Sequence, residues 1–293
     1  MEEDTTADTE ASPVRIALLI RYLGRGFSGS QQQPDTRTVE GVIIEACIRL
    51  GLFDDFREAG FVSAGRTDAG VSARGQVIAL STVEPERAVS TLNRVLPADC
   101  WCTGWAIVPE HFNPRYRAES RTYRYLFTGS GLDLEAMKEA SGYFIGVHNF
   151  SRIARVEEGR DPTRKILRTK IWMEDDSIIF EVVGESFLWH MVRGMATLLQ
   201  AVGTGLISPD RVRTILNEPG GRIPAAPADS LILWDVECGL SYHPIPISEK
   251  AKRWLSEEKR RCIAEKRMIS WLGGDRFDIP RKEEIHDKLG HLL

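Results

Sequence analysis

The sequence predicts an α+β protein: two β-α-β-β-type halves, ferredoxin- or RRM-like, sharing a mainly antiparallel sheet with a cleft between them, followed by a C-terminal helical extension. Two observations carry this prediction. Segments whose apolar residues alternate are interleaved with segments whose apolar residues recur every three and four positions. The same order of segments then runs through a second time, which marks helices on one face of an antiparallel sheet. The length of 293 residues suits two such units plus an extension. Its divisions are an acidic tail over 1–12, a first half over 13–111, a second half over 112–242 and a helical extension over 243–293.

In the first half, Val14, Ile16, Leu18 and Ile20 alternate with Arg15 and Arg21 as an amphipathic strand. Thr38 can N-cap a helix whose stripe is Val39, Val42, Ile43, Ala46, Cys47 and Leu50. Strands over 61–64 and 76–83, a helix from Arg87 to Leu96 stopped by Pro97, and a strand from Cys100 to Val108 complete the set. The second half reads as a strand Tyr123–Phe127, a helix Asp133–Tyr143, a strand pair Ile166–Met173 and Ile178–Val183, an apolar helix Phe187–Val202 and a strand Leu231–Cys238. Ser248 to Trp271 is charged and helix-prone, either a helix packed on the surface or a partner-binding element.

Composition excludes several classes. No apolar run approaches the roughly 20 residues needed to span a bilayer, so no membrane partner is expected. Met1 to Ser12 lacks the basic and apolar regions of a signal peptide. The five cysteines form no C-x-x-C pair and the six histidines show no ligand spacing, so neither a disulfide framework nor a metal site is expected. Net charge is −4, yet the basic residues are clustered. Arg115, Arg117, Arg121 and Arg124 stand against Glu119 alone, and Arg152 to Lys170 holds seven basic residues against three acidic ones. Local positive fields of this kind suit a nucleic-acid groove.

The most informative stretch is Ser63-Ala-Gly-Arg-Thr-Asp-Ala-Gly-Val-Ser-Ala-Arg-Gly75. Small residues surround Arg66 and Asp68, so another backbone or a planar ring can approach the carboxylate at a sheet end. Alone it would read as an ordinary turn aspartate. Gly24-Arg-Gly-Phe-Ser-Gly29 satisfies G-x-G-x-x-G after a strand. Its third glycine should lie inside a helix, however, and Gln31-Gln-Gln-Pro-Asp35 intervenes before Thr38. An NAD site is rejected and no cofactor is expected.

Eight segments occur in a telling order: Tyr22 to Pro34, Thr38-Val-Glu-Gly41, Gly65 to Val71, Leu92 to Pro97, Phe112-Asn-Pro-Arg115 with Arg121-Thr-Tyr-Arg-Tyr125, His148-Asn-Phe150, Phe187-Leu-Trp-His-Met-Val-Arg193 and Pro224-Ala-Ala-Pro227. From Tyr22 to about Cys238 the chain resembles the tRNA pseudouridine synthases of the TruA type. The resemblance implies isomerisation of uridine to pseudouridine in the anticodon arm of tRNA, around positions 38 to 40. It implies a homodimer in the cytoplasm, with the nucleus as the alternative. It also implies that Asp68 is the catalytic aspartate, that Tyr123 stacks on the target uracil and that Arg193 pairs with the aspartate. Arg66 enters the RNA stack, and Arg115, Arg121, Arg152, Arg164 and Lys165 are the expected RNA contacts. The competing reading is a catalytically inactive RNA-binding protein of the same fold.

The chemistry suits these residue types. N1–C1′ breaks, the base turns and C5–C1′ forms, with no oxidation and no phosphoryl transfer. One carboxylate is needed beside the sugar, to attack C1′ or C6 or to take the C2′ proton. Burial favours the neutral acid, and a guanidinium at contact distance opposes that. The chain departs from the family pattern at Ser72, where histidine is usual, at Ser230, where glycine is common, and at Gly29-Ser-Gln31, where many members carry tryptophan.

Overall fold

The computed structural model describes residues 12–128 and 131–273. The expected acidic tail, up to Ala11, and the end of the extension, 274–293, lie outside the described residues. The first half contributes strands β1 (Val14–Tyr22), β2 (Val62–Ser63), β3 (Ser72–Thr82) and β4 (Cys100–Ile107), with helices α1 (Val39–Arg49) and α2 (Pro85–Val95). The second contributes α3 (Pro114–Arg117), β5 (Ser120–Thr128), α4 (Leu134–Gly142), β6 (Gly146–Asn149), β7 (Thr163–Glu174) and β8 (Ser177–Gly184). It ends with α5 (Met191–Gly203), α6 (Pro209–Asn217) and β9 (Leu231–Glu237); β10 (His243–Pro244) and α7 (Glu249–Gly273) follow.

All strands join one sheet in the order β10-β4-β1-β3-β9-β5-β8-β7-β6, with β2 beside β3. Among the described residues every strand pairing is antiparallel except one. β3 meets β9 in parallel over only two positions, Ser72 with Ile232 and Ala73 with Leu233, and this short pairing joins the two halves. Closeness at the join is enforced by Gly75, where an added Cβ would lie 2.7 Å from the Trp234 carbonyl oxygen.

The pattern explains the elements. In α1, Thr38 accepts from the Gly41 amide at 3.2 Å and Val39, Ile43, Ala46 and Cys47 are buried, as the stripe requires. In β5, Arg121, Tyr123, Tyr125 and Phe127 are buried on one side. On the other side Arg124 lies over the Trp234 ring at 3.5 Å and pairs with the buried Glu181 at 2.8 Å. Helix α5 is buried along almost its whole length. The expected helix from Phe187 starts late: 187–190 is irregular, Met191 bonds back to Leu188 at 3.1 Å, and His190 has φ 67. No helix among the described residues is long and apolar enough to cross a membrane.

Candidate active site

Asp68 lies in the loop that enters β3, beside the join between the halves. The loop is held by the very segment that mimicked a dinucleotide motif. Tyr22 Oη and Thr67 Oγ1 share a hydrogen bond of 2.8 Å. The Thr67 amide donates to Ser30 Oγ at 2.8 Å, and the Ser30 amide donates to the Thr67 carbonyl at 3.0 Å. The Gly24 amide donates to Ser72 Oγ at 3.0 Å, and a Cβ on Gly24 would fall 2.2 Å from the Val71 carbonyl oxygen. Ser72, a departure from the family pattern, therefore has a structural task. The glycine-rich loop is a brace for the aspartate loop.

The second half supplies the other wall. Arg193, in the first turn of α5, donates through Nη1 to Asp68 Oδ2 at 2.6 Å and through Nε to the Ala226 carbonyl at 2.6 Å. Trp189 donates its indole N–H to Asp68 Oδ1 at 2.7 Å, and His190 Nε2 lies 3.5 Å from Oδ2. Each carboxylate oxygen thus has a close donor from across the join. The side chain is 22% exposed, so it is held without being sealed.

The irregular turn before α5 makes this possible. The Arg155 amide donates to the Trp189 carbonyl at 2.7 Å, and the Arg155 guanidinium stacks 4.2 Å above the indole. Gly194 lets the 150–155 turn approach, since a Cβ there would lie 2.1 Å from the Ile153 carbonyl oxygen. A left-handed conformation at a non-glycine residue costs on the order of 1–3 kcal/mol. At His190 it turns successive side chains, Trp189 and His190, onto one carboxylate. Burial lowers the His190 pKa; Asp68 opposes that shift, while Arg193, Arg222 and Arg155 reinforce it. Trp189 and His190 escape a reading of the sequence as helix, because an apolar run with Trp and His before Met191 matches a continuing helix stripe.

Tyr123 is 9% exposed and meets Phe187 edge-on, ring centroids 5.1 Å apart. Burial pushes its phenol pKa up to about 12. Arg66 and Arg115 are exposed. Lys165 is half-exposed and pairs with Glu185 at 2.7 Å. Arg164 Nη1 donates to the carbonyls of Asp161 and Thr163 at 2.8 and 2.6 Å. Arg152 reaches the Gly221 and Ile215 carbonyls at 3.3 and 3.5 Å.

Arg121 is a correction. It is buried, and its guanidinium donates to the carbonyls of Glu185, Ala64 and Arg115 at 2.7, 3.0 and 2.8 Å. A side chain so enclosed presents no charge to a phosphate. Its position on the inward side of β5 explains why charge clustering misjudged it. Among the described residues no three His, Cys, Asp or Glu side chains converge as a metal-binding group.

A family profile described as tRNA pseudouridine synthase matches residues 140–237, which takes in the Trp189–Arg193 wall. The tRNA pseudouridine synthase A of Methanoculleus marisnigri is 48% identical over 263 residues, 89% of this chain and 97% of that protein. Its counterpart from Methanosphaerula palustris is 46% identical over 281 residues, covering 96% and 100%. That of Thermococcus sibiricus is 40% identical over 263 residues, covering 88% and 99%. The chain belongs to the tRNA pseudouridine synthase A family. A solved Cbf5-Nop10-Gar1 complex matches at TM-score 0.34 and 15% identity over 63% of this chain and 45% of that one, too weak a likeness to argue from. The aspartate and the wall that holds it come from different halves of one fold.

Proposed function

We propose that this protein isomerises uridine to pseudouridine in the anticodon arm of tRNA, with Asp68 as the catalytic carboxylate. The observation that supports this reading best is the three-residue cage: Arg193 and Trp189 hold the two oxygens of Asp68 at 2.6 and 2.7 Å, and His190 stands at 3.5 Å. An oriented, partly exposed carboxylate next to a full positive charge suits attack on the sugar or base, or abstraction of the C2′ proton. The N1–C1′ bond breaks, the C5–C1′ bond forms, the C5 hydrogen leaves as a proton and the freed N1 takes one up, so the isomerisation balances without a redox partner. No step calls for a cofactor or metal.

The target uridine must leave its stack, at a cost of a few kcal/mol. In this reading Tyr123 and its edge-on partner Phe187 form the wall that receives the uracil, and Arg66 fills the vacated place in the RNA. Residues 13–111 and 112–242 act as two halves closing on one tRNA. Arg115 and Lys165 lie on surfaces open to phosphate, and Lys165 exchanges a weak surface partner for it. Arg152 and Arg164 are the remaining expected RNA contacts, each already hydrogen-bonded to backbone carbonyls. In this reading the protein works as a homodimer in the cytoplasm.

The alternative, an inactive RNA-binding protein, is disfavoured by the intact cage, which has no purpose in binding alone. Tritium release from tRNA labelled at uridine C5 tests the reading. Wild type is expected to release it and Asp68→Ala to release none. Release that survives the substitution refutes the assignment of Asp68, and no release by wild type from any tRNA favours the inactive binder.

A further inference from the structure

We infer that α7 is a second RNA-binding element, which grips the phosphate backbone of the same tRNA away from the reacting uridine. The inference rests on the reading of the substrate as tRNA. Three Lys-Arg doublets recur at seven-residue intervals: Lys252-Arg253, Lys259-Arg260 and Lys266-Arg267. Seven residues are close to two helical turns, so the doublets repeat on one side of the helix with little drift. They span about 20 Å at 1.5 Å per residue. All six side chains are exposed.

The face stays positive although Glu257 flanks it, four residues after Arg253 and three before Arg260. Glu258 binds Arg25 and Arg261, and Glu265 lies 3.7 Å from Arg261. Lys252 has a partner, Glu249, but both side chains are more than half exposed, and such a pair gives way readily to a phosphate. In a chain of net charge −4, this concentration of cations on one helix face is out of proportion to the whole.

Placement supports the assignment. Lys250 donates to the Leu96 carbonyl, and Ala251 is buried, which fixes the start of the helix on the first half. The ion pair of Arg25 with Glu258 then ties its middle to the Gly24–Gly26 turn that braces the Asp68 loop. From Lys259 to Leu272 every side chain is exposed, so the helix leaves the body at the rim of the site. Trp271 is 75% exposed, with Arg267 6.0 Å from its ring, an aromatic surface on which an unstacked base can rest. A membrane surface fits less well. An interfacial helix needs one apolar face continuous along its length, whereas Met268, Ile269 and Leu272 share a side only near the end of this one and Ile263 stands apart, on the side of the doublets.

The test replaces four cations beyond Glu258, as Lys259→Gln, Arg260→Gln, Lys266→Gln and Arg267→Gln together. Glutamine keeps helix propensity close to that of lysine and arginine, and circular dichroism checks that helicity is retained. The Kd for tRNA is expected to rise about tenfold or more at 0.15 M salt, and the slope of log K against log salt to become shallower by about two to three. The single-turnover rate at saturating tRNA is expected to stay unchanged. Asp68→Asn, assayed beside it, separates the two readings: it should bind tRNA with the wild-type salt slope and release no tritium. Active Asp68→Asn would refute the catalytic assignment while leaving the binding result to stand. Unchanged affinity and slope in the fourfold variant overturn the inference. So does loss of binding to phosphatidylserine-containing vesicles with tRNA affinity intact. An affinity loss that accompanies a fall from dimer to monomer mass also overturns it, because the face then serves a second copy of the chain.

Discussion

Two arginines from the second half reach the same short stretch of the first, and they do opposite things there. Arg121, on β5, binds the Ala64 carbonyl and two further carbonyls, and only 9% of it is exposed. Arg193, at the start of α5, binds the Asp68 carboxylate four residues further on and keeps a side-chain exposure of 16%. Neutral acceptors on every side make Arg121 a staple between the halves. An anionic acceptor open to solvent, beside the neutral Ala226 carbonyl, makes Arg193 part of a charge pair that a substrate can enter. The nature of the acceptor, and not burial alone, separates a structural guanidinium from a functional one.

Substitution sharpens that contrast. Arg193→Gln is expected to lower the single-turnover rate by a factor on the order of 10²–10⁴, the range for losing a positioned acid–base partner. Its urea midpoint should change little, and Arg193→Lys should restore only part of the rate because an ammonium lacks the planar fork that serves Asp68 and Ala226 together. Arg121→Gln should behave in reverse. Orphaning buried carbonyls costs about 1–3 kcal/mol for each group left unsatisfied, so unfolding should be displaced by about 3 kcal/mol or more while the rate per folded molecule stays near wild type. An Arg121 variant with normal stability and no turnover would erase the distinction.

The same contrast shows what could be read from the sequence. Strand alternation in 14–22 and 120–128 and the Thr38 helix stripe arise from local periodicity, and the α+β organisation follows from their order. Asp68 and Arg193 were legible only through the resemblance carried by the eight ordered segments, because alone the flanking glycines mark an ordinary turn aspartate. Trp189 and His190 were not. Their role depends on a left-handed turn at His190, fixed by the Arg155 amide some thirty-five residues earlier in the chain. The brace formed by Tyr22, Ser30 and Gly24 was hidden for a related reason, since a loop's partner across a sheet leaves no periodic trace. Helix α6 and the short β6 also went unread; β6 is only four residues long and alternates half-buried with exposed residues in place of polar–apolar contrast.

Trp189 lies between the two arginines in its expected effect. Trp189→Phe keeps an aromatic surface for Arg155 to stack on and removes the N–H that binds Oδ1. A hydrogen bond to a charged group contributes about 1.5–3 kcal/mol, so the single-turnover rate should fall at least about tenfold with the Kd for tRNA nearly unchanged. A loss equal to that of Arg193→Gln would mean that orientation of the carboxylate matters as much as its counter-charge.

His190 offers the smallest effect and the clearest sign. Its pKa in the folded protein lies below the ordinary value of 6.5, because burial and the nearby Arg193, Arg222 and Arg155 outweigh the attraction of Asp68. The unfolded chain therefore binds the proton more readily than the folded one. Stability should rise with pH through the window below about 6.5 and level off above it, and the penalty should be complete once pH falls under the folded value. His190→Gln removes the proton acceptor and with it this acid-side loss. The urea midpoints of wild type and variant, compared at pH 7.5 and at pH 5, are expected to differ by an amount that shifts in the variant's favour on acidification. A difference independent of pH would show that the imidazole is protonated with equal ease in both states, and that the cage around Asp68 admits a second cation beside Arg193 without cost.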